Sequence, residues 1–105
     1  MIIAFSVAPT ITNNPEAEMA GAVAEAVRVV RESGLPNETN AMFTLIEGEW
    51  DEVMDVVKRA TEAVQKVSPR VSLVLKADIR PGYTGRLKGK VEDLEKHLDS
   101  GDPTQ

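Results

Sequence analysis

Between Trp50 and Val67 six apolar residues, Trp50, Val53, Val57, Ala60, Val64 and Val67, recur at steps of 3, 4, 3, 4 and 3. That is the period of an α-helix with a single apolar stripe, and such a helix must bury one side against another layer. Glu49, Asp51 and Glu52 at its start and Lys66 near its end suit the helix dipole, and Ser68-Pro69 ends it. An earlier stretch has the same character. Ala20, Val23, Val27 and Val30 recur at steps of 3, 4 and 3, with Asn14 a candidate N-cap, Pro15 at the first helical position and Gly34-Leu35-Pro36 as a stop. A first helix is predicted from about Pro15 to Ser33.

Short β-rich runs supply the layer that these helices need. Ile2 to Ala8 is apolar and closed by Pro9, a length that fits a buried strand. Asn37 to Glu49 is too short and too β-branched for a helix, and predicts two short strands meeting near Ala41 and Met42. Val71 to Ala77 predicts a fourth strand, Arg80-Pro-Gly-Tyr-Thr-Gly a turn-rich loop, and Leu87, Val91, Leu94 and Leu98 a short third helix. The order is that of a ferredoxin-like βαββαβ domain of the α+β class: a four-stranded antiparallel sheet with the first and third strands central, two helices on one face, and a C-terminal helix added. Residues 1–98 are expected to form this one domain and 99–105 a frayed tail.

Alternation along the strands turns Ile3, Phe5 and Val7, with Val71, Leu73 and Leu75, toward the helices. The opposite face would carry Ile2, Ala4, Ser6, Ala8, Met42, Thr44, Ile46, Ser72, Val74 and Lys76. Glu47 would then lie with Leu45 on the helix side and reach a pocket only through a bulge or a strand end. An open semi-apolar face of this kind meets a second subunit or a ligand, which predicts face-to-face dimerisation with pockets where Ser6, Thr44 and Lys76 interrupt the apolar surface. The alternative, that these polar residues let the face stand in water, weighs about equally on physics alone.

Composition narrows the chemistry. The 105 residues include no cysteine, which excludes a disulfide framework, a thiolate nucleophile and cysteine-based metal sites and predicts a reducing, cytoplasmic setting. Met1 to Phe5 carries no basic residue and its apolar run stops at Ser6, so it lacks the charged and hydrophobic regions of a signal peptide, and no run is long enough to span a membrane. The net charge of −5 is uneven: residues 1–65 carry 4 basic and 11 acidic groups, whereas residues 66–90 carry 7 basic groups against Asp78 alone. Gly85-Arg-Leu-Lys-Gly-Lys-Val in that basic segment is one residue short of a phosphate-binding P-loop and has Val91 where a hydroxyl would bind magnesium, so nucleotide hydrolysis is rejected. The segment can attract an anion or an acidic partner, although a solvated loop entering a helix is the plainer account. Tyr83 is the only aromatic there, too few for a single-strand nucleic-acid reader.

His97, the only histidine, sits near a helix end where a cation is favourable, so neither a Ser/His/Asp set nor a histidine metal site can be assembled. Among the carboxylates only Glu38, Glu47 and Asp78 lie on or beside strands, where they can serve a pocket.

Phe5-Ser6-Val7-Ala8-Pro9, Ala26 to Leu35, Glu38-Thr39-Asn40-Ala41-Met42 running to Ile46-Glu47-Gly48, Asp51-Glu52-Val53 and Lys76-Ala77-Asp78-Ile79-Arg80 resemble successive blocks of the small thiamine-binding protein family. The resemblance runs from about Ile2 to Leu98, and its most specific part is Glu38 to Gly48. It implies a ferredoxin-like subunit that forms dimers or tetramers and binds thiamine or its hydroxymethylpyrimidine part, with no catalysis, no metal and no cofactor beyond that ligand. The residues carried over as ligand-binding are Ser6, Asn40, Thr44 and Glu47, with Lys76 and Asp78 nearby. An aminopyrimidine offers a donor amine beside ring-nitrogen acceptors, which an amide, a hydroxyl and a carboxylate can match. Thr10 to Pro15 and Phe43 differ from the usual family pattern, and a loop or hairpin closing over the pyrimidine there would alter ligand choice.

Three readings follow: a thiamine or pyrimidine binder acting as carrier, buffer or sensor; a regulatory or assembly module that binds a protein through its open sheet face; and an enzyme using Glu47 or Asp78 as base, ranked last because no nucleophile, metal or cofactor motif accompanies them.

Overall fold

The computed structural model describes residues 1–10, 15–82 and 85–99. Asn14, and the tail beyond Asp99, lie outside them. The elements are β1 (Ile2–Pro9), α1 (Pro15–Glu32), β2 (Asn37–Thr39), β3 (Thr44–Glu47), α2 (Trp50–Gln65), β4 (Val71–Asp78) and α3 (Arg86–Asp99). The four strands form one antiparallel sheet in the order β2-β3-β1-β4, the ferredoxin-like arrangement that the sequence predicts.

The core lies between one sheet face and the helices α1 and α2. Ile3, Phe5 and Val7 of β1 and Ile46 of β3 meet Ala22, Ala26 and Val30 of α1 and Val53, Val56, Val57, Ala60 and Val64 of α2. The stripe of α2 is the predicted one, with Val56 added and with Trp50 and Val67 left half-exposed at its ends. On α1 the buried stripe is Ala22-Ala26-Val30, and Val23 faces out. Small side chains at that contact let α1 approach both β1 and α2, which outweighs the larger apolar area of Val23.

The larger correction concerns β3. Its register pairs Ile46 with Ile3 and Thr44 with Phe5, so Thr44 and Ile46 point toward the helices, while Leu45 opposite Ala4 and Glu47 opposite Ile2 belong to the open face. The expected assignment is therefore inverted, for apolar residues stand at both parities here and an offset of one residue exchanges the faces. A tight turn sets the phase: Asn40 Oδ1 accepts from the backbone amides of Met42 and Phe43 at 2.8 Å each, and Asn40 N donates to the Phe43 carbonyl at 3.0 Å. Gly48 then lets α2 follow at once, because a Cβ there would lie 3.0 Å from Val53 Cγ2 and 3.3 Å from Leu35 Cδ1.

The two sheet edges differ. β2 has three residues, whereas β4 has eight and is exposed at Ser72 through Lys76. Val71, Leu73 and Leu75 are on the helix side, as expected, but Leu73 and Leu75 remain partly bare because α1 and α2 lie chiefly over β1.

Candidate functional site

At the Ile2 end of the sheet, Glu47 of β3 and Asp78 of β4 are both register partners of Ile2. The three residues therefore form a row across the open face, with the two carboxylates on either side of an aliphatic chain. The end of β3 is fixed by Glu47 N donating to the Pro36 carbonyl at 2.9 Å and Gly48 N to the Met1 carbonyl at 3.1 Å. Glu47 is only 5% exposed. Its cover is the start of α3: Oε2 accepts from Arg86 N at 2.7 Å and Oε1 from Leu87 N at 3.3 Å.

This contact resolves a local conflict. The first turn of α3 holds no acidic residue, so its free amides and positive dipole end lack the usual local partner. The carboxylate comes instead from a strand, and Gly85, at φ 66°, makes the turn that brings the helix onto it. Leu87 is buried beneath that first turn, whereas Val91, Leu94 and Leu98 along the rest of α3 are more than half exposed.

A cavity of about 230 Å³ opens here, lined by Met1, Ile2, Glu47, Asp78, Arg80, Arg86 and Lys90. Lys90 donates to Asp78 Oδ2, and Arg86 Nη2 donates to Asp93 Oδ2 at 2.9 Å. The hydrogen bond and charge of Lys90, reinforced by Arg80, hold the Asp78 carboxyl below its ordinary value of 3.8; Arg86 does the same for Asp93, chiefly through its hydrogen bond. Both aspartates are therefore carboxylates at neutral pH, and the opening offers both cation donors and anion acceptors.

The other residues named from the sequence lie elsewhere. Ser6, Asn40 and Thr44 line a second cavity of about 230 Å³ between α1 and the β2–β3 turn, beside Phe5, Val23, Val27 and Phe43. None of its described lining side chains is ionisable. Lys76 stands exposed in mid-strand opposite Ala4, outside both cavities. The six residues thus divide into a charged pair, an uncharged trio and one lone lysine. The structure adds Arg80, Arg86 and Lys90 to the charged pair. Their sequence signal was the run of basic residues between 66 and 90, which by itself reads as a solvated surface.

Comparison with known proteins agrees with this architecture. The family model described as "Thiamine-binding protein" matches residues 3–95. The UPF0045 protein Mb1933 of Mycobacterium bovis is 52% identical over 99 residues, 93% of this chain and 94% of the relative. Among solved structures, a hypothetical protein of Methanocaldococcus jannaschii aligns at TM-score 0.78 and 28% identity over 90% of this chain and 94% of its own, and a domain of unknown function from Bacillus cereus at TM-score 0.71 and 34% identity over 83% and 84%. The chain belongs to the thiamine-binding protein family. Among the described residues no helix is long and apolar enough to cross a membrane.

Proposed function

We propose that this protein binds thiamine or its hydroxymethylpyrimidine part, as carrier, buffer or sensor and without catalysing a reaction on it, and that the pyrimidine sits in the cavity between Glu47 and Asp78. The observation that carries this reading is the row Glu47-Ile2-Asp78 on the wall of a ligand-sized cavity in a chain of this family. The 4-amino group of the pyrimidine needs acceptors and its ring nitrogens need donors. Asp78 and the remaining lone pairs of Glu47 supply the first, the arginine and lysine heads supply the second, and Ile2 offers an apolar surface to the ring. The uncharged cavity at Ser6, Asn40 and Thr44 has no carboxylate for the amine.

Calorimetry and thermal melting with thiamine and the free pyrimidine test the proposal. At about 100 times its dissociation constant a ligand adds about 2.7 kcal/mol to stability. Absence of both heat and a melting shift for either compound overturns it.

Self-association into dimers or tetramers accompanies this reading. The half-exposed Leu73 and Val74 of β4, and Val91, Leu94 and Leu98 of α3, offer apolar surface that a second subunit can cover. The same surface favours the second reading, a regulatory or assembly module that holds a protein partner. Salt-sensitive capture of one partner, indifferent to thiamine, is its mark.

A further inference from the structure

We propose that the preferred ligand of the Glu47–Asp78 cavity is a phosphate ester of the aminopyrimidine, with Arg80, Arg86 and Lys90 as its phosphate clamp. This rests on the reading just given and adds the chemical form of the ligand.

The lining holds three cations against two carboxylates, and Glu47 already accepts from the two backbone amides of α3. Three cationic heads therefore converge on one opening, two of them now held by the carboxylates of Asp93 and Asp78. Arg86 and Lys90 stand four residues apart on α3 and so share one face of that helix, while Arg80 arrives from just beyond the end of β4. The clamp thus draws on two different elements around one opening.

The present partners of two clamp residues are weak competitors. Both partners of the Lys90–Asp78 pair are about half exposed, and Asp93 of the Arg86–Asp93 pair is mostly exposed while Arg86 is partly covered; ion pairs that reach solvent in this way contribute little to stability. A phosphate monoester carries more charge and more acceptor oxygens than either carboxylate, and can draw both donors from them. Geometry within the ligand agrees with geometry within the site. On the pyrimidine, the amine and the hydroxymethyl arm sit on adjacent ring carbons, so a donor and an esterified phosphate leave the same edge. In the cavity an acceptor, Asp78, and a cation, Lys90, stand in contact. The thiazolium of thiamine, in contrast, brings a fixed positive charge toward the heads of Arg80, Arg86 and Lys90.

The test is calorimetry at low salt with the free pyrimidine alcohol, its monophosphate, thiamine, thiamine monophosphate and inorganic phosphate. The pyrimidine monophosphate is expected to bind at least about tenfold tighter than the free alcohol, the size of one charge-assisted hydrogen bond, whereas thiamine monophosphate, whose ester lies on the thiazolium arm away from the amine, should gain less over thiamine. That ratio should shrink as salt is raised and should shrink in Arg80→Gln and in Arg86→Gln, each checked for folding by its melting curve. Equal affinity for the pyrimidine monophosphate and the free alcohol overturns the clamp and leaves the pyrimidine reading standing. A ratio indifferent to both substitutions also overturns it, since the phosphate is then held elsewhere. Binding of inorganic phosphate with none of the pyrimidines overturns both readings.

Discussion

Glu47, the last residue of β3, accepts a hydrogen bond at 2.7 Å from the backbone amide of Arg86, 39 residues further along the chain. One carboxylate thereby ends a strand, opens a helix and forms the wall of a cavity. Glu47→Ala leaves the part-buried amide of Arg86 and the buried amide of Leu87 without this acceptor, at a cost of about 1–3 kcal/mol. The loss should be local to α3: hydrogen exchange of the amides from Arg86 onward accelerates, while that of β1 and α2 changes far less. Glu47→Gln keeps one acceptor oxygen and should lose less.

Asp78 and Lys90 make stability depend on acidity in a defined direction. The folded carboxyl of Asp78 lies below its ordinary value of 3.8, and the unfolded one does not. The pair therefore stabilises the fold above about pH 4, and its contribution vanishes as pH falls through the lowered value. Lys90→Met should flatten the acid limb of a melting-temperature profile recorded between about pH 2 and pH 6. High salt should reduce the difference between the two proteins, because both partners are half-exposed.

Gly48 is required by a close approach. A methyl group there would lie 3.0 Å from Val53 Cγ2, closer than ordinary van der Waals contact, against a side chain that is fully buried. Gly48→Ala should cost about 1–3 kcal/mol through overpacking, measured as a lower urea midpoint.

Val57 tests the opposite fault, a void. It is 2% exposed within the core between α2 and the sheet. Val57→Ala should destabilise by about 1–3 kcal/mol, lowering the urea midpoint with an unchanged slope.

Asn40 separates folding from binding. Its side-chain oxygen holds two amides of the β2–β3 turn, so Asn40→Ala should cost about 0.5–1.5 kcal/mol of stability. Asn40→Asp, which keeps the acceptor, should cost less. If the ligand lies between Glu47 and Asp78, calorimetric affinity for the pyrimidine stays at its wild-type value in the folded Asn40→Ala protein. A weakened affinity would move the ligand toward the cavity of Ser6 and Thr44.

The order of elements and the stripe of α2 were legible because periodicity there is long and unambiguous: Val53, Val57, Ala60 and Val64 all reach the core. The face of β3 was not, since a four-residue strand with apolar residues on both sides offers no phase, and the turn at Asn40 decides it. Glu47 and Asp78 stood out as strand-borne carboxylates, yet nothing local to either shows that both flank Ile2. Arg80, Arg86 and Lys90 were visible only as charge. Their convergence is a tertiary product, made when a glutamate from a strand supplies the helix start that its own sequence leaves without an acid.

The unequal rims of the sheet limit what sideways association can build. β2 ends the sheet after three residues and β4 after eight, so only one flank offers a ladder long enough to extend. Two copies joined there across a two-fold axis use up both long flanks and turn only short stubs outward. Growth in that direction stops at a pair instead of running on as a ribbon.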